Sequence, residues 1–288
     1  MPSPADRTPD HPGLDELLRL LERRSSLFVL TGAGCSTSSG IPDYRDGAGQ
    51  WKRRRPIQYQ DYLASQPARQ RYWARSMAGW PRFRSAEPNQ AHRALAALEQ
   101  AGHIHQLVTQ NVDGLHQRAG SRRVIDLHGR LDRLDCQGCG RGYSREGFQQ
   151  RLEGLNPEFA YPPALCAPDG DAELEGVDFT HFRVPPCEHC GGLLKPSVVF
   201  FGEGVPAARV RHAFQRLAEA DAMLVVGSSL MVYSGYRFCR AAASQGKPIA
   251  AINLGRTRAD PELTLKLNAA CGPELARLAE YAGNKPRR

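Results

Sequence analysis

Short apolar runs alternate with amphipathic stretches along this chain. Leu27–Thr31, Ile104–Thr109, Val124–Leu127, Ala222–Val226 and Pro248–Ile252 are rich in aliphatic and β-branched residues and read as buried strands. Leu14, Leu17, Leu18 and Leu21 follow helical spacing before the first of them. Pro88-Asn89 opens a second helix, in which Ala91, Leu95 and Leu98 share a face and which stops near Gly102. Further helices are predicted over Pro206–Ala220 and Tyr236–Ala243. This alternation predicts an α/β fold built on a Rossmann-like, doubly wound parallel sheet. Residues 44–85, rich in Arg, Gln, Tyr and Trp without strong periodicity, read as a lid or helical insertion. Leu193–Glu203 is a β-branched and aromatic strand with Pro196 near its start, which suits an edge that a peptide backbone can join.

The rhythm breaks between Cys136 and Cys190. Residues 13–135 and 191–288 are therefore assigned to the Rossmann-like domain, 136–190 to a small metal-binding domain, and 1–12 to a disordered tail. Four of the eight cysteines form two C-x-x-C pairs, Cys136/Cys139 and Cys187/Cys190, whose thiolates suit one tetrahedral Zn²⁺. Four thiolates close the coordination shell, so a structural role is expected, and His189 is a spare donor only. Prolines and the PDGD stretch ending at Asp171 read as loops between the knuckles.

A chain of 288 residues, 41% hydrophobic and 24% charged, is an ordinary globular protein. No apolar run approaches the ~20 residues that span a bilayer, and the N-terminus reads as neither a secretory signal nor a transit peptide. The expectation is a cytoplasmic protein without membrane partners. A net charge of +8 favours acidic ligands such as phosphates. The cluster Lys52, Arg53, Arg54 and Arg55 is open between a solvated turn and a functional patch, and it is not read as a nucleic-acid site.

Candidate chemistry gathers at the strand ends. Leu27–Thr31 runs into Gly32, Gly34 and Gly40, where backbone N–H groups can approach a phosphate. Thr37 stands where the dinucleotide fingerprint places a third glycine, and no acidic residue ends a second strand, so a plain turn remains an alternative. QNVDGLH follows Thr109 and offers Asn111, Asp113 and His116; His128-Gly129 follows Leu127; Gly227-Ser228-Ser229 and Asn253-Leu254-Gly255 follow the later strands. His128 is the best general base by position, and a hydrogen-bonded core histidine is the alternative.

Taken in order, GAGCSTSSGIPDYR, TQNVDGLH, LHG, the two C-x-x-C pairs, KPSVVFFGE, VVGSS and INLG resemble the sirtuin family of NAD-dependent protein-lysine deacylases, over about Leu14 to Gly283. RRPIQ, RQRYWAR, APDGD, VYSGYRF and KLNAACG are most similar to its class II branch, which includes a mitochondrial lipoamidase. Cys35 departs from the family, which more often has an aliphatic residue there. The resemblance implies that Gly32, Ala33, Gly34, Ser36, Asp43, Tyr44, Arg45 and Trp51 hold the NAD pyrophosphate and cover the nicotinamide ribose. It also implies that Gln110, Asn111, Val112 and Asp113 line the nicotinamide pocket. Gly227, Ser228, Ser229, Asn253, Leu254, Gly255 and Cys271 would contact the phosphates and adenosine.

His128 would be the base. NAD would be consumed as co-substrate, with the acyl oxygen of a modified lysine attacking C1′ of the ribose to give an imidate. The products would be free lysine, nicotinamide and O-acyl-ADP-ribose. Val198, Val199, Phe200, Phe201, Gly202 and Glu203 would bind the acyl-lysine peptide of a protein substrate as an added strand. Tyr72 and Arg75 match the spacing of a pair that grips acidic acyl chains, or are ordinary surface positions, and lipoyl or branched acids remain open. Mono-ADP-ribosyl transfer at the same site and a non-catalytic acyl-lysine binding module are the rival functions. A dehydrogenase is disfavoured by the missing acidic ribose ligand.

Overall fold

The computed structural model describes residues 12–23, 26–52, 56–159, 169–172, 174 and 176–283. The expected tail, Arg53 to Arg55 of the basic cluster, Cys166 and Pro168 fall outside these residues, apart from Pro12 at the start of the first helix.

Six strands form one parallel sheet: β1 (Leu27–Thr31), β2 (Ile104–Thr109), β3 (Val124–Asp126), β7 (Ala222–Val226), β8 (Ile249–Ile252) and β9 (Leu265–Leu267). Their order is β3-β2-β1-β7-β8-β9, so the chain winds outward in both directions from β1, as expected of a doubly wound fold. β1, β2 and β7 match their sequence-predicted bounds because continuous apolar runs between polar turns leave little choice of register.

Helices cover both faces. Leu27 and Val29 of β1 face a core with Leu17 and Leu21 of α1 (Pro12–Arg23), Leu95 and Leu98 of α4 (Gln90–Gln100), and Leu275 and Leu278 of α9 (Cys271–Gly283). Phe28 and Leu30 face the opposite core, with Leu217 of α7 (Ala207–Glu219) and Phe238 and Ala242 of α8 (Tyr233–Ser244). The alternation along β1 places Leu27 to Leu30 of this central strand against one helix layer or the other.

The insertion is helical, with α2 (Tyr59–Ala64) and α3 (Gln66–Arg84). It shares one core with a second, antiparallel sheet of β5 (Gly142–Ser144), β4 (Gly129–Cys136) and β6 (Leu194–Val198) in that order. Trp73, Met77 and Phe83 of α3 pack there with Leu134, Phe148, Leu152 and Leu194. β6 is one of its two edges, which suits Pro196, although the strand is shorter than the Leu193–Glu203 expected. Between the knuckles the loop expectation missed α6 (Arg145–Leu155), capped by Ser144 accepting from Gly147 N. Phe148 and Leu152, four residues apart, were the signal. α5 (Leu115–Arg118) is a single turn after β2. Among the described residues, no helix is long and apolar enough to cross a membrane.

Asn89 joins α4 to the loop after β1. Its side chain accepts from the backbone N–H groups of Ala91 and His92, and its Nδ2 donates to Cys35 O at 2.8 Å and Ser39 Oγ at 3.0 Å. Asn89→Ala is expected to cost about 2 kcal/mol through the lost cap and a stranded carbonyl, read as a lower thermal midpoint. A midpoint unchanged within a degree or so would mean that the cap carries no stability.

Candidate active site

A cavity of about 630 Å³ opens over the C-terminal ends of β1, β2 and β7, where the strand order reverses. This is where open α/β sheets take ligands, and the volume lies within the usual range for ligand pockets. Its wall includes Gly32, Ala33, Gly34, Ser36, Asp43, Tyr44, Arg45 and Trp51, then Gln110, Asn111, Val112, Asp113 and His128. It also includes Val198, Val199, Phe200, Phe201, Gly202 and Glu203, then Gly227, Ser228, Ser229, Asn253, Leu254 and Gly255, with Tyr72. Most of the sequence-predicted residues therefore meet in one concavity.

Two do not line it. Cys271 is buried at the start of α9, with its thiol 3.6 Å from Ile252 O. Arg75 donates through Nε to Ala172 O at 2.8 Å and accepts the Ala172 N–H on its own carbonyl at 2.9 Å. Its cation also faces Asp171, so it ties residues 171–172 to α3 and is not partnered with Tyr72 across the cavity. A candidate absent from the sequence reading is Asp169, which lines the cavity near its neighbours Asp171 and Tyr72. The PDGD turn was its signal, but nothing local tells which strand end such a loop reaches.

The glycine loop differs from the expected phosphate cradle. Two single 3₁₀ turns, Ala33–Cys35 and Thr37–Ser39, follow β1 in place of a long helix. The N–H groups of Gly32, Gly34, Cys35 and Ser36 donate to Val226 O, Gly227 O, Gly32 O and Ala33 O. Those donors are thus engaged within the protein, and glycine's role here is close approach. Gly227 has φ +58°, and a Cβ there would lie 2.4 Å from Cys35 N. The ends of β1 and β7 touch only because that side chain is missing.

Behind the wall lies a buried polar network with assignable protons. Asn89 N–H donates to His92 Nδ1 at 3.2 Å, so His92 carries its hydrogen on Nε2, which lies 3.4 Å from Ser36 Oγ. Ser36 also accepts from Asn111 Nδ2 at 3.0 Å and donates to Asp113 Oδ2 at 2.7 Å. Asp113 Oδ1 takes the Leu115 N–H at 2.9 Å. Burial raises the Asp113 carboxyl pKa, while these hydrogen bonds pull it back. His116, the third candidate after β2, is in the core: its Nε2 meets Thr31 Oγ1 at 2.9 Å, and it does not line the cavity.

The loop after these turns folds over the cavity. Arg45 lies over the Trp51 ring at 4.1 Å and donates to Gly49 O at 2.7 Å, while Trp51 packs edge-on against Phe201 at 5.5 Å. Lys52 pairs with Asp43 at 2.5 Å. On the far side, buried Lys195 meets Glu203 at 3.1 Å, and Glu203 accepts the Phe200 N–H at 2.8 Å. Glu203 thereby shapes the 198–203 segment, and Gln60 Nε2 reaches Gly202 O at 3.1 Å from the insertion.

His128 sits between β3 and β4 and is partly open to the cavity. Its carbonyl accepts the Val199 N–H at 2.8 Å. Gly129 beside it has φ +80°, and a Cβ there would stand 1.9 Å from Ser197 O, so β4 and β6 meet there only across glycine. His128 Nδ1 lies 2.9 Å from Gln110 O and Nε2 lies 2.7 Å from Ser234 Oγ. Burial pushes its pKa down to about 4; the hydrogen bond to Gln110 opposes this, and the nearby Arg209 and Arg237 cations add to it. The ring is neutral at pH 7, as a base must be.

Cys136, Cys139, Cys187 and Cys190 converge, with donor atoms within 4.8 Å of one another. The Cys136–Cys190 sulfurs are 3.4 Å apart and the Cys139–Cys187 sulfurs 3.8 Å, far beyond a disulfide and close to the ~3.8 Å edge of a tetrahedral zinc thiolate site. Backbone N–H groups of Gly138 and Cys139 point at Cys136 Sγ, and His189 is exposed outside the cluster. This donor set fits Zn²⁺.

Residues 32–234 match the Sir2 family. An NAD-dependent protein deacetylase of Xanthomonas axonopodis pv. citri is 60% identical over 93% of this chain and 90% of that protein. The human mitochondrial NAD-dependent protein lipoamidase sirtuin-4 is 50% identical over 93% of this chain and 87% of that protein. A structure described as Sir2 with a p53 peptide and NAD+ superposes with TM-score 0.77 at 33% identity, covering 94% of this chain and 99% of that one.

The depressed pKa of His128 gives a test of its environment. The unfolded ring protonates near pH 6.5 and the folded ring only near 4, so between these values the unfolded state holds the extra proton. Relative to His128→Gln, the unsubstituted protein should lose stability as pH falls from about 6.5 to about 4, by up to ~1.4 kcal/mol per pH unit. Parallel stability curves for the two across that window would rule out the buried neutral ring.

Proposed function

The chain belongs to the Sir2 family and is an NAD-dependent protein deacylase, and we propose that the cavity at the ends of β1, β2 and β7 is its active site with His128 as the general base. One observation carries the assignment: His128 is a neutral imidazole held by the Gln110 carbonyl, facing the cavity between the glycine loop and the 198–203 segment.

Bound there, NAD would supply an electrophilic ribose carbon for the acyl oxygen, with nicotinamide as the leaving group. Asp113 would hold the carboxamide with the lone pairs left beyond those used by Ser36 and Leu115, and Asn111, whose Nδ2 is engaged by Gly32 O and Ser36 Oγ, would offer its Oδ1. Ser228, Ser229 and Asn253 offer polar groups for phosphates and ribose. Arg45, Trp51 and Phe201 close over the reacting end and exclude water. His128 takes a proton from a ribose hydroxyl so that the oxygen can attack the acyl carbon. Zn²⁺ held by the four cysteines would staple β4 to the start of β6, a structural role without a step in the reaction.

The acyl chain enters beside Ile57, Tyr72, Leu131 and Asp169. With Arg75 Nε held by the Ala172 carbonyl, the arginine of the Tyr72 pair is not offered to the distal carboxylate of an acidic chain. Neutral chains such as acetyl or lipoyl therefore fit better than succinyl or glutaryl.

Mass spectrometry of an acyl-lysine peptide panel with and without NAD tests the reading. Expected are NAD-dependent loss of acyl mass, its abolition in His128→Ala, and at least a ~10-fold preference for neutral over acidic chains that Arg75→Ala leaves unchanged. Nicotinamide release without any loss of acyl mass would shift the assignment to ADP-ribosyl transfer. Elemental analysis should find one zinc per chain, and Cys187→Ala should lose it together with several degrees of thermal midpoint; a metal-free folded protein would refute the zinc staple.

A further inference from the structure

The lone pair that His128 would use as a base is not free. The Gln110 carbonyl, 2.9 Å from Nδ1, can only accept, so Nδ1 carries the ring hydrogen. In the neutral ring the lone pair is then on Nε2, and the group 2.7 Å from it is the Ser234 hydroxyl, which must donate. Ser234 is buried, lines the same cavity and is the second residue of α8. The partial positive charge of a helix's first turn favours an oxygen that is giving up a proton. Arg237, one turn further along, also lines the cavity and adds to that field.

From this geometry we propose that Ser234 is a proton relay between the substrate hydroxyl and His128. The inference rests on the reading of His128 as the base. As the ribose O–H bond breaks, its proton passes to Ser234 Oγ, while the proton already on Ser234 moves to His128 Nε2. Ser234 ends as it began, the ribose oxygen becomes the nucleophile, and His128 becomes the imidazolium, stabilised through Nδ1–H by the Gln110 carbonyl. The bonds broken are ribose O–H and Ser234 O–H; those formed are Ser234 O–H and Nε2–H. Arranged in this way, a base with a pKa of about 4 receives the proton through an intervening hydroxyl, and the buried imidazole need not move toward the substrate.

Two measurements test this. In the free protein with ¹⁵N-labelled histidine, His128 should be the Nδ1–H tautomer, and its Nε2 resonance should move downfield in Ser234→Ala as the donor is lost. A Nε2–H tautomer, or a Nε2 resonance unmoved by the substitution, overturns the relay. In turnover, Ser234→Ala should slow deacylation about a hundredfold, while exchange of labelled nicotinamide into NAD, which needs no base, stays near its original rate. Ser234→Thr, which keeps a hydroxyl, should recover most of the loss. Parallel loss of exchange and deacylation in Ser234→Ala would make Ser234 merely structural. Wild-type deacylation by Ser234→Ala while His128→Ala is inactive would sink the relay alone. Normal deacylation by His128→Ala would instead remove the base assignment.

Discussion

The Ser36 hydroxyl is the point on which the site depends. It is 1% exposed, donates to Asp113, accepts from Asn111, and takes the Nε2–H of His92. A buried hydroxyl with one donor and two acceptor positions is thereby saturated. Three segments distant in sequence are fixed by it: the loop after β1, the loop after β2, and the N-terminus of α4. A parallel sheet ends its strands with carbonyls and side chains that must find partners away from water. Here those partners are the residues that face the cavity, so satisfying the core and shaping the site are one requirement.

The same economy explains the charge states. His92, His116 and His128 all have lowered pKa values, with burial as the first cause in each case. Two of them serve structure, His116 bonding Thr31 at the end of β1 and His92 joining α4 to Ser36, and of the three only His128 opens to the cavity. What separates a base from a core histidine is access. Gly129 provides it, because the contact between His128-Gly129 and the end of β6 leaves no room for a side chain.

Five of the six strands of the parallel sheet were legible because they are apolar runs bounded by glycine and polar residues, whereas β9, three residues with Lys266 in the middle, was not read. The cysteine knuckles were legible because metal ligation demands a spacing that sequence displays directly. α6 was hidden by the cysteines and prolines around it, though Ser144, Phe148 and Leu152 carried the cap and the period. The glycine loop was read as a donor cradle, yet four of its N–H groups are taken by neighbouring carbonyls, among them Val226 at the end of β7 and Gly227 just after it. No local pattern reveals a partner that lies almost two hundred residues away. Arg75 fails for the same reason: its spacing from Tyr72 is visible, but the Ala172 carbonyl and Asp171 that claim it are not.

A dinucleotide fold that makes a hydride-transfer enzyme must leave its nicotinamide facing an oxidisable carbon. In this chain the cavity at the strand ends is lined by Trp51, Phe200 and Phe201 together with a neutral histidine, His128. Aromatic walls exclude water from a carbon that has just lost its leaving group, which would otherwise be hydrolysed. On the proposed reading, the neutral imidazole would supply what dehydrogenase chemistry does not need, a proton acceptor for a sugar hydroxyl. The two-layered core built by the insertion and the cysteine module exists to hold that wall in place: Phe200 packs on Tyr62 at 5.1 Å and on Tyr72 at 5.3 Å, and Tyr62 donates to Leu194 O at 2.6 Å. The second core thus carries the aromatic wall of the cavity, and the strand ends of the parallel sheet carry its glycine and serine side.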